Sequence, residues 1–166
     1  MQSQIENAFS IGEVADALKI SVETIRLYER RGLLLTVKTD NNQRAFSESD
    51  VERIKCIRSA INDHKISIEG IRKIQSLIPC WEYVGCPPEQ RKKCPAYLRS
   101  DAGCWTYAEK ETHCAARNCR KCKVYQLSGN CDNIKSLIHH DVISPQPKVG
   151  EPLAQLSLTS DEDNIL

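Results

Sequence analysis

The chain has 166 residues, 23 lysines and arginines against 22 aspartates and glutamates, and 40% hydrophobic residues. That length allows one medium domain or two small ones, and the composition fits a soluble globular class rather than a fibre. No run nears the roughly 18 apolar residues of a membrane-crossing helix, and the opening MQSQIENAFS lacks the basic start and apolar stretch of a signal peptide, so the expected compartment is the cytoplasm.

The near-neutral total hides an asymmetry. Residues 1–79 hold 12 basic and 11 acidic residues, residues 80–131 hold 9 and 5, and residues 132–166 hold 2 and 6. An acidic end masks a basic middle.

In chain order, Ser10 opens the first expected helix, with Glu13 at capping-box spacing and Phe9 as half of a hydrophobic staple. Ile11, Val14, Ala15 and Leu18 then form one apolar face. After a break at Lys19–Ile20, Ser21 caps a second helix, VETIRLYERR, stopped by Gly32. The stretch LLLTVKTDNNQRAF places two β-prone runs around Asp40-Asn41-Asn42, residue types that tolerate the left-handed turn of a hairpin. A third helix starts near Ser47, with Asp50 closing a capping box and Val51, Ile54, Ile57 and Ile61 inside. A fourth starts at Ser67, buries Ile68, Ile71, Ile74 and Ile78, and is ended by Pro79. A short helix, DNIKSLIHH, is expected within residues 132–144, and the proline-bearing acidic end after it reads as mobile. The expected fold class is therefore mainly α: a winged helix-turn-helix at 8–78, a small cysteine-rich metal-stabilised domain at 79–131, and a short helix with an acidic tail at 132–166.

Two helices across a short turn, followed by a hairpin, make a winged helix-turn-helix. The second helix presents Ser21, Glu23, Thr24 and Arg26 near its start, where such helices meet base edges in the major groove. Arg26, Arg30, Arg31, Lys38 and Arg44 are placed to neutralise phosphates. The runs FSIGEVADALKISVETIRLYERRGLLL and NNQRAFSESDVERI resemble the DNA-binding domain of the MerR family of bacterial transcription regulators, over about residues 8–78. The resemblance implies a homodimer on a pseudo-palindromic promoter operator in double-stranded DNA, with RNA polymerase at the promoter. It implies that Thr24 and Arg26 touch the groove, and that Tyr28 and the wing residue Arg44 touch the backbone. Two features depart from the family pattern. Lys19 stands where the turn often has glycine, at a cost of roughly 1 kcal/mol. Pro79 and Cys80 arrive where a long dimerising helix normally follows, so the cysteine block is itself a candidate for the dimer contact.

Eight of the nine cysteines lie between residues 80 and 131. Reduced thiols are the norm in the cytosol, which argues against a disulfide framework. Cys56, on the third helix, reads as an inert buried residue. The pair Cys119-x2-Cys122 precedes Lys123, so the haem pattern is missing, and the βαβ pattern of a thiol oxidoreductase is absent. No catalytic set stands out, and the chain is not expected to be an enzyme. Metal remains. Candidate ligands are Cys80, Cys86, Cys94, Cys104, Cys114, Cys119 and Cys122. Their wide, irregular spacing favours an iron–sulfur cluster, with zinc as the alternative. Neighbouring Arg120, Lys121 and Lys123 are expected to lower thiol pKa values.

The order CWEYVGC, CPAY, CW, CRKCKVY resembles the two-CW cysteine domain found beside bacterial sensory and chemotaxis modules, over Cys80 to Tyr125. It implies a sensory role and does not choose the metal; Cys131 lies outside it and counts as spare. The expected function is a DNA-binding regulator that senses redox state, a reactive gas or metal. The rival is the same regulator with structural zinc and a signal from a partner protein.

Overall fold

A computed structural model of the chain describes residues 8–39, 41–107 and 113–131. The expected short helix and acidic tail at 132–166 lie outside the described residues, as does Asp40.

The first half follows its capping signals. Helix α1 spans Ile11–Leu18 and α2 spans Val22–Arg30. Ser10 and Glu13 close a full capping box, the Ser10 amide donating to the Glu13 carboxylate at 2.7 Å and the Glu13 amide to Ser10 Oγ at 3.3 Å. Lys19 ends α1 in the left-handed conformation, with φ 53°, as the sequence requires of that turn. Strands β1 (Phe9–Ser10), β2 (Val37–Lys38) and β3 (Arg44–Phe46) form an antiparallel sheet in the order β1-β3-β2. Val37 faces Ala45 and Lys38 faces Arg44, which is the expected hairpin, and Asn42 takes φ 59° at its tip. The third strand is new: Phe9, expected only as a staple, pairs with Phe46.

Helix α3 spans Glu48–Asn62 and α4 spans Ile68–Ser76, each capped by the expected serine, Ser47 and Ser67. Val14, Ile25, Leu33, Phe46, Ile54 and Ile71 meet in one core between these elements.

After Pro79 the chain breaks into short pieces: α5 (Cys80–Val84), α6 (Pro88–Arg91), α7 (Pro95–Leu98) and α8 (Lys123–Leu127). Tight 3₁₀ turns cover Cys104–Tyr107 and Cys119–Lys121. Among the described residues, no long helix follows α4. A second apolar cluster gathers Ile78, Trp105, Val124 and Tyr125, and Leu35, from the loop after α2, packs against it. No helix of the described residues is long and apolar enough to cross a membrane.

One expectation about the cysteines is overturned here. Cys56 of α3 is not an inert core residue, and Cys131 is not spare: the two form a disulfide, with Cα atoms 5.6 Å apart. Helix periodicity places Cys56 on α3, but it carries no information about a partner 75 residues away.

Candidate nucleic-acid interface and cysteine centre

The start of α2 is built for exposure. Ser21 caps it by accepting from the Thr24 amide at 3.0 Å, and the two hydroxyls share a hydrogen bond at 2.8 Å. Val22, Ile25 and Tyr28 turn to the core side, which leaves Glu23 and Arg26 exposed. Glu23 pairs with Arg30 at 2.8 Å and more loosely with Arg26 at 3.8 Å, and these guanidinium partners, Arg30 first, hold its carboxyl below the usual range. Lys38 is exposed on β2. Arg44 is half-buried and gives its Nε to Glu29 at 2.6 Å, while the Thr36 hydroxyl donates to the other oxygen of Glu29. Tyr28 is only 5% exposed, and burial pushes its phenol up, so it offers a ligand no more than its rim.

The cysteines gather on the far side of α3. Cys80, Cys94, Cys104, Cys114, Cys119 and Cys122 line one cavity of about 40 Å³, whose other walls include Trp105 and Tyr125. The structure thus brings six of the seven sequence candidates round one space. The seventh, Cys86, is buried beside a smaller space of about 20 Å³, which it shares with Cys80, Cys94, Cys114 and His113. Among the described residues, no three His, Cys, Asp or Glu side chains stand close enough to grip a single metal ion.

The electrostatics run against expectation. The Cys114 thiol is pushed up to about 11, chiefly by burial and then by Cys80, and burial also raises Cys119 and Cys86. Cys80 is lowered, chiefly by a hydrogen bond with Cys104, whose own thiol is driven up by the same bond. The lowering charges on Cys114 and Cys86 come from Arg117 and Arg91 and are outweighed by burial, while Arg120, beside Cys119 in the sequence, points elsewhere. Its guanidinium donates to the Asp50 carboxylate at 2.6 Å and to the Leu35 carbonyl.

Arg120 belongs to a polar seam that joins the cysteine-rich region to the winged helix. Asp50 is 2% exposed and Arg53 is 3% exposed. Arg53 donates to the Tyr125 carbonyl and to Ser128 Oγ, the latter at 3.3 Å, and its guanidinium lies 3.7 Å from the Tyr125 ring centroid. The Leu35 amide donates to the Tyr125 hydroxyl at 2.8 Å, and Trp105 Nε1 donates to the Gly32 carbonyl at 2.8 Å. Gly32 ends α2 with φ +72°, and a Cβ there would stand 2.6 Å from Thr106 Cγ2. Sequence reasoning missed this seam. A charged pair inside the apolar run of α3, Asp50 and Arg53, was the available signal.

Residues 9–77 match the family described as "MerR HTH family regulatory protein", so this segment is a MerR-type helix-turn-helix domain. Among curated relatives, the chain is 43% identical over 61 residues to a "Mercuric resistance operon regulatory protein" of Pseudomonas fluorescens, covering 36% of this chain and 42% of that one. It is 36% identical over 70 residues to the "HTH-type transcriptional regulator ZntR" of Escherichia coli (strain K12), covering 42% and 49%. It is 33% identical over 66 residues to the "HTH-type transcriptional regulator GlnR" of Bacillus anthracis, covering 40% and 50%. The chain thus spans half or less of the length of these relatives. No solved structure matches it. Regulators of this family bind double-stranded DNA at promoter operators, and all three relatives are named as regulators rather than enzymes.

Proposed function

We propose that the chain is a dimeric MerR-type transcription regulator whose cysteine-rich region, residues 79–131, holds an iron–sulfur cluster and reports redox state, a reactive gas or metal supply to the winged helix at 8–78. The observation that carries this reading is the ring of six thiols round one cavity, joined through Arg120 and Tyr125 to the loop that follows α2.

The donor set fits the group. A cluster takes four thiolates, and six thiols, Cys80, Cys104, Cys114 and Cys122 among them, line the cavity. A single zinc ion, the alternative, would draw four of the same thiols to about 2.3 Å. When bound, a cluster supplies one-electron redox chemistry and iron that oxidants or chelators can attack. Trp105 and Tyr125 wall the cavity against water. The raised Cys114 and Cys119 thiols favour the protonated form until a metal displaces the proton.

Transmission needs two geometries that the site stabilises unequally. Any movement of the Cys119–Lys121 turn carries Arg120, and Arg120 holds both Asp50 on α3 and the carbonyl of Leu35. The change therefore enters the winged helix beside the end of α2. Ser21, Glu23, Thr24 and Arg26 read the groove, Lys38 and Arg44 contact the backbone from the wing, and RNA polymerase acts at the same promoter. The relative named for mercuric resistance favours a second stimulus, a thiol-seeking cation at the same cysteines.

Anaerobic purification of the full chain, an absorption spectrum and analysis for iron, sulfide and zinc test the reading. Iron with sulfide and visible colour is the expected result. Zinc without colour would replace the cluster by the structural-zinc reading, and a colourless, metal-free protein that still answers oxidant would sink both.

A further inference from the structure

We infer that Cys56 and Cys131 form a reversible thiol–disulfide switch, separate from the cysteine cavity, that locks the cysteine-rich region onto α3.

Neither residue lines the cavity or its smaller neighbour, and neither is among the free cysteines. Their Cα separation of 5.6 Å lies in the range a disulfide accepts. The bridge is also well placed. Cys56 follows Arg53 by one helical turn, and Cys131 follows Ser128 by three residues, so the covalent link runs beside the Arg53–Ser128 and Arg53–Tyr125 hydrogen bonds. Covalent and polar fastenings therefore hold the same two segments together. With the bridge open, the seam is held by hydrogen bonds alone and can rearrange. With it closed, the end of α8 stays against α3 whatever the cavity does.

Access supports chemistry at this pair. Cys131 is exposed and Cys56 is partly buried. A small disulfide, RSSR, is attacked by the Cys131 thiolate; the S–S bond breaks, a Cys131–SR mixed disulfide forms, and one RSH leaves with a proton. Cys56 then attacks the mixed disulfide at the Cys131 sulfur and releases the second RSH. Two protein thiols are oxidised and one RSSR is reduced to two RSH. The reverse exchange with RSH reopens the bridge. None of these steps needs a metal, so the switch works with a cluster, with zinc or with an empty cavity.

The test uses the full chain, reduced and then equilibrated with mixtures of reduced and oxidised glutathione. After acid quenching and metal removal, free thiols are alkylated and the unreduced digest is mapped. Alkylated thiols should fall from the nine of the sequence to seven, with one linked peptide pair joining Cys56 to Cys131, and reduced glutathione should restore nine. The closed form should show a smaller change in operator affinity on chelator treatment than the open form. Cys56→Ser and Cys131→Ser should each abolish the link and respond like the open form, with unchanged metal content. A pair that stays unlinked, or that glutathione cannot reopen, would overturn the switch. So, in protein shown to hold metal, would a closed form whose chelator response equals that of Cys56→Ser. Metal content is read separately, so failure of the cluster reading shows as absent iron while the Cys56–Cys131 link is still scored.

Discussion

Asp50 does two jobs with one carboxylate: it closes the capping box of α3 with Ser47 and accepts from Arg120 at 2.6 Å. The start of a helix in the winged domain is thus fastened to a turn that carries two cavity cysteines, Cys119 and, one residue beyond, Cys122. The ion pair is largely buried, with Asp50 at 3% and Arg120 at 18% side-chain exposure, so it is not the weak surface kind.

Arg120→Ala should therefore uncouple the two regions. Asp50 keeps its Ser47 partners, so α3 should stay capped. Loss of a charged hydrogen-bonding group should cost about 1.5–3 kcal/mol in urea unfolding. Metal content should persist, while operator affinity stops answering chelator or oxidant. A variant that responds like the wild type would show that the signal travels elsewhere.

Gly32 gives a sharper probe of the same seam. Gly32→Ala meets two penalties: a left-handed backbone at φ +72°, costing about 1–2 kcal/mol, and a Cβ only 2.6 Å from Thr106 Cγ2. Thr106→Ser deletes that methyl but keeps the hydroxyl that donates to the Gly103 carbonyl at 2.8 Å. In the double variant the clash should vanish and only the backbone cost remain. Thermal unfolding of the four proteins in the cycle checks this, and strictly additive losses would mean that Gly32 and Thr106 do not meet in solution.

These residues also show what the sequence could and could not say. Ser10–Glu13, Ser21, Ser47–Asp50 and Ser67 are local signals, decided within four residues, and every one caps the helix it was expected to cap. The hairpin was legible because its turn chemistry is local too. The cysteine region was legible only as a donor set. Which thiols share a cavity depends on how the short pieces after Pro79 pack on one another, and where Arg120 points and which residue faces Cys56 depend on packing between segments 70 or more residues apart. Proximity in sequence misled directly: Arg120 adjoins Cys119, yet its charge is spent on Asp50 and Leu35.

On the DNA side, Arg26→Ala should weaken operator binding by about 1–3 kcal/mol if the side chain reaches a base. Lys38→Ala should weaken all sequences alike and lower the salt slope by about 1. Glu23 ties up Arg30 and, loosely, Arg26, so Glu23→Gln should raise affinity for random DNA and narrow the specificity ratio. Fluorescence titration at several salt concentrations separates the three. An Arg26→Ala loss shared equally by operator and random DNA would make Arg26 a phosphate contact.

The seven free cysteines should not be equal. Cys122 lines the main cavity with Cys104 and Cys114, whereas Cys86 lines only the smaller space beside it, with Cys80, Cys94 and Cys114. The Cys119 thiol is raised first by burial and then by Cys122. Cys122→Ser should therefore abolish the cofactor, and Cys119→Ser with Cys122→Ser should add disorder of the C-terminal half while residues 8–78 stay helical. Cys86→Ser should keep the cofactor, and its cost should appear as modest destabilisation from a polar hydroxyl placed at a buried site. Iron and zinc content with the visible spectrum reads the first effect, and urea unfolding reads the second. Retention of full metal in Cys122→Ser together with its loss in Cys86→Ser would move the centre from the larger cavity to the smaller one, where His113 is the available non-thiol donor.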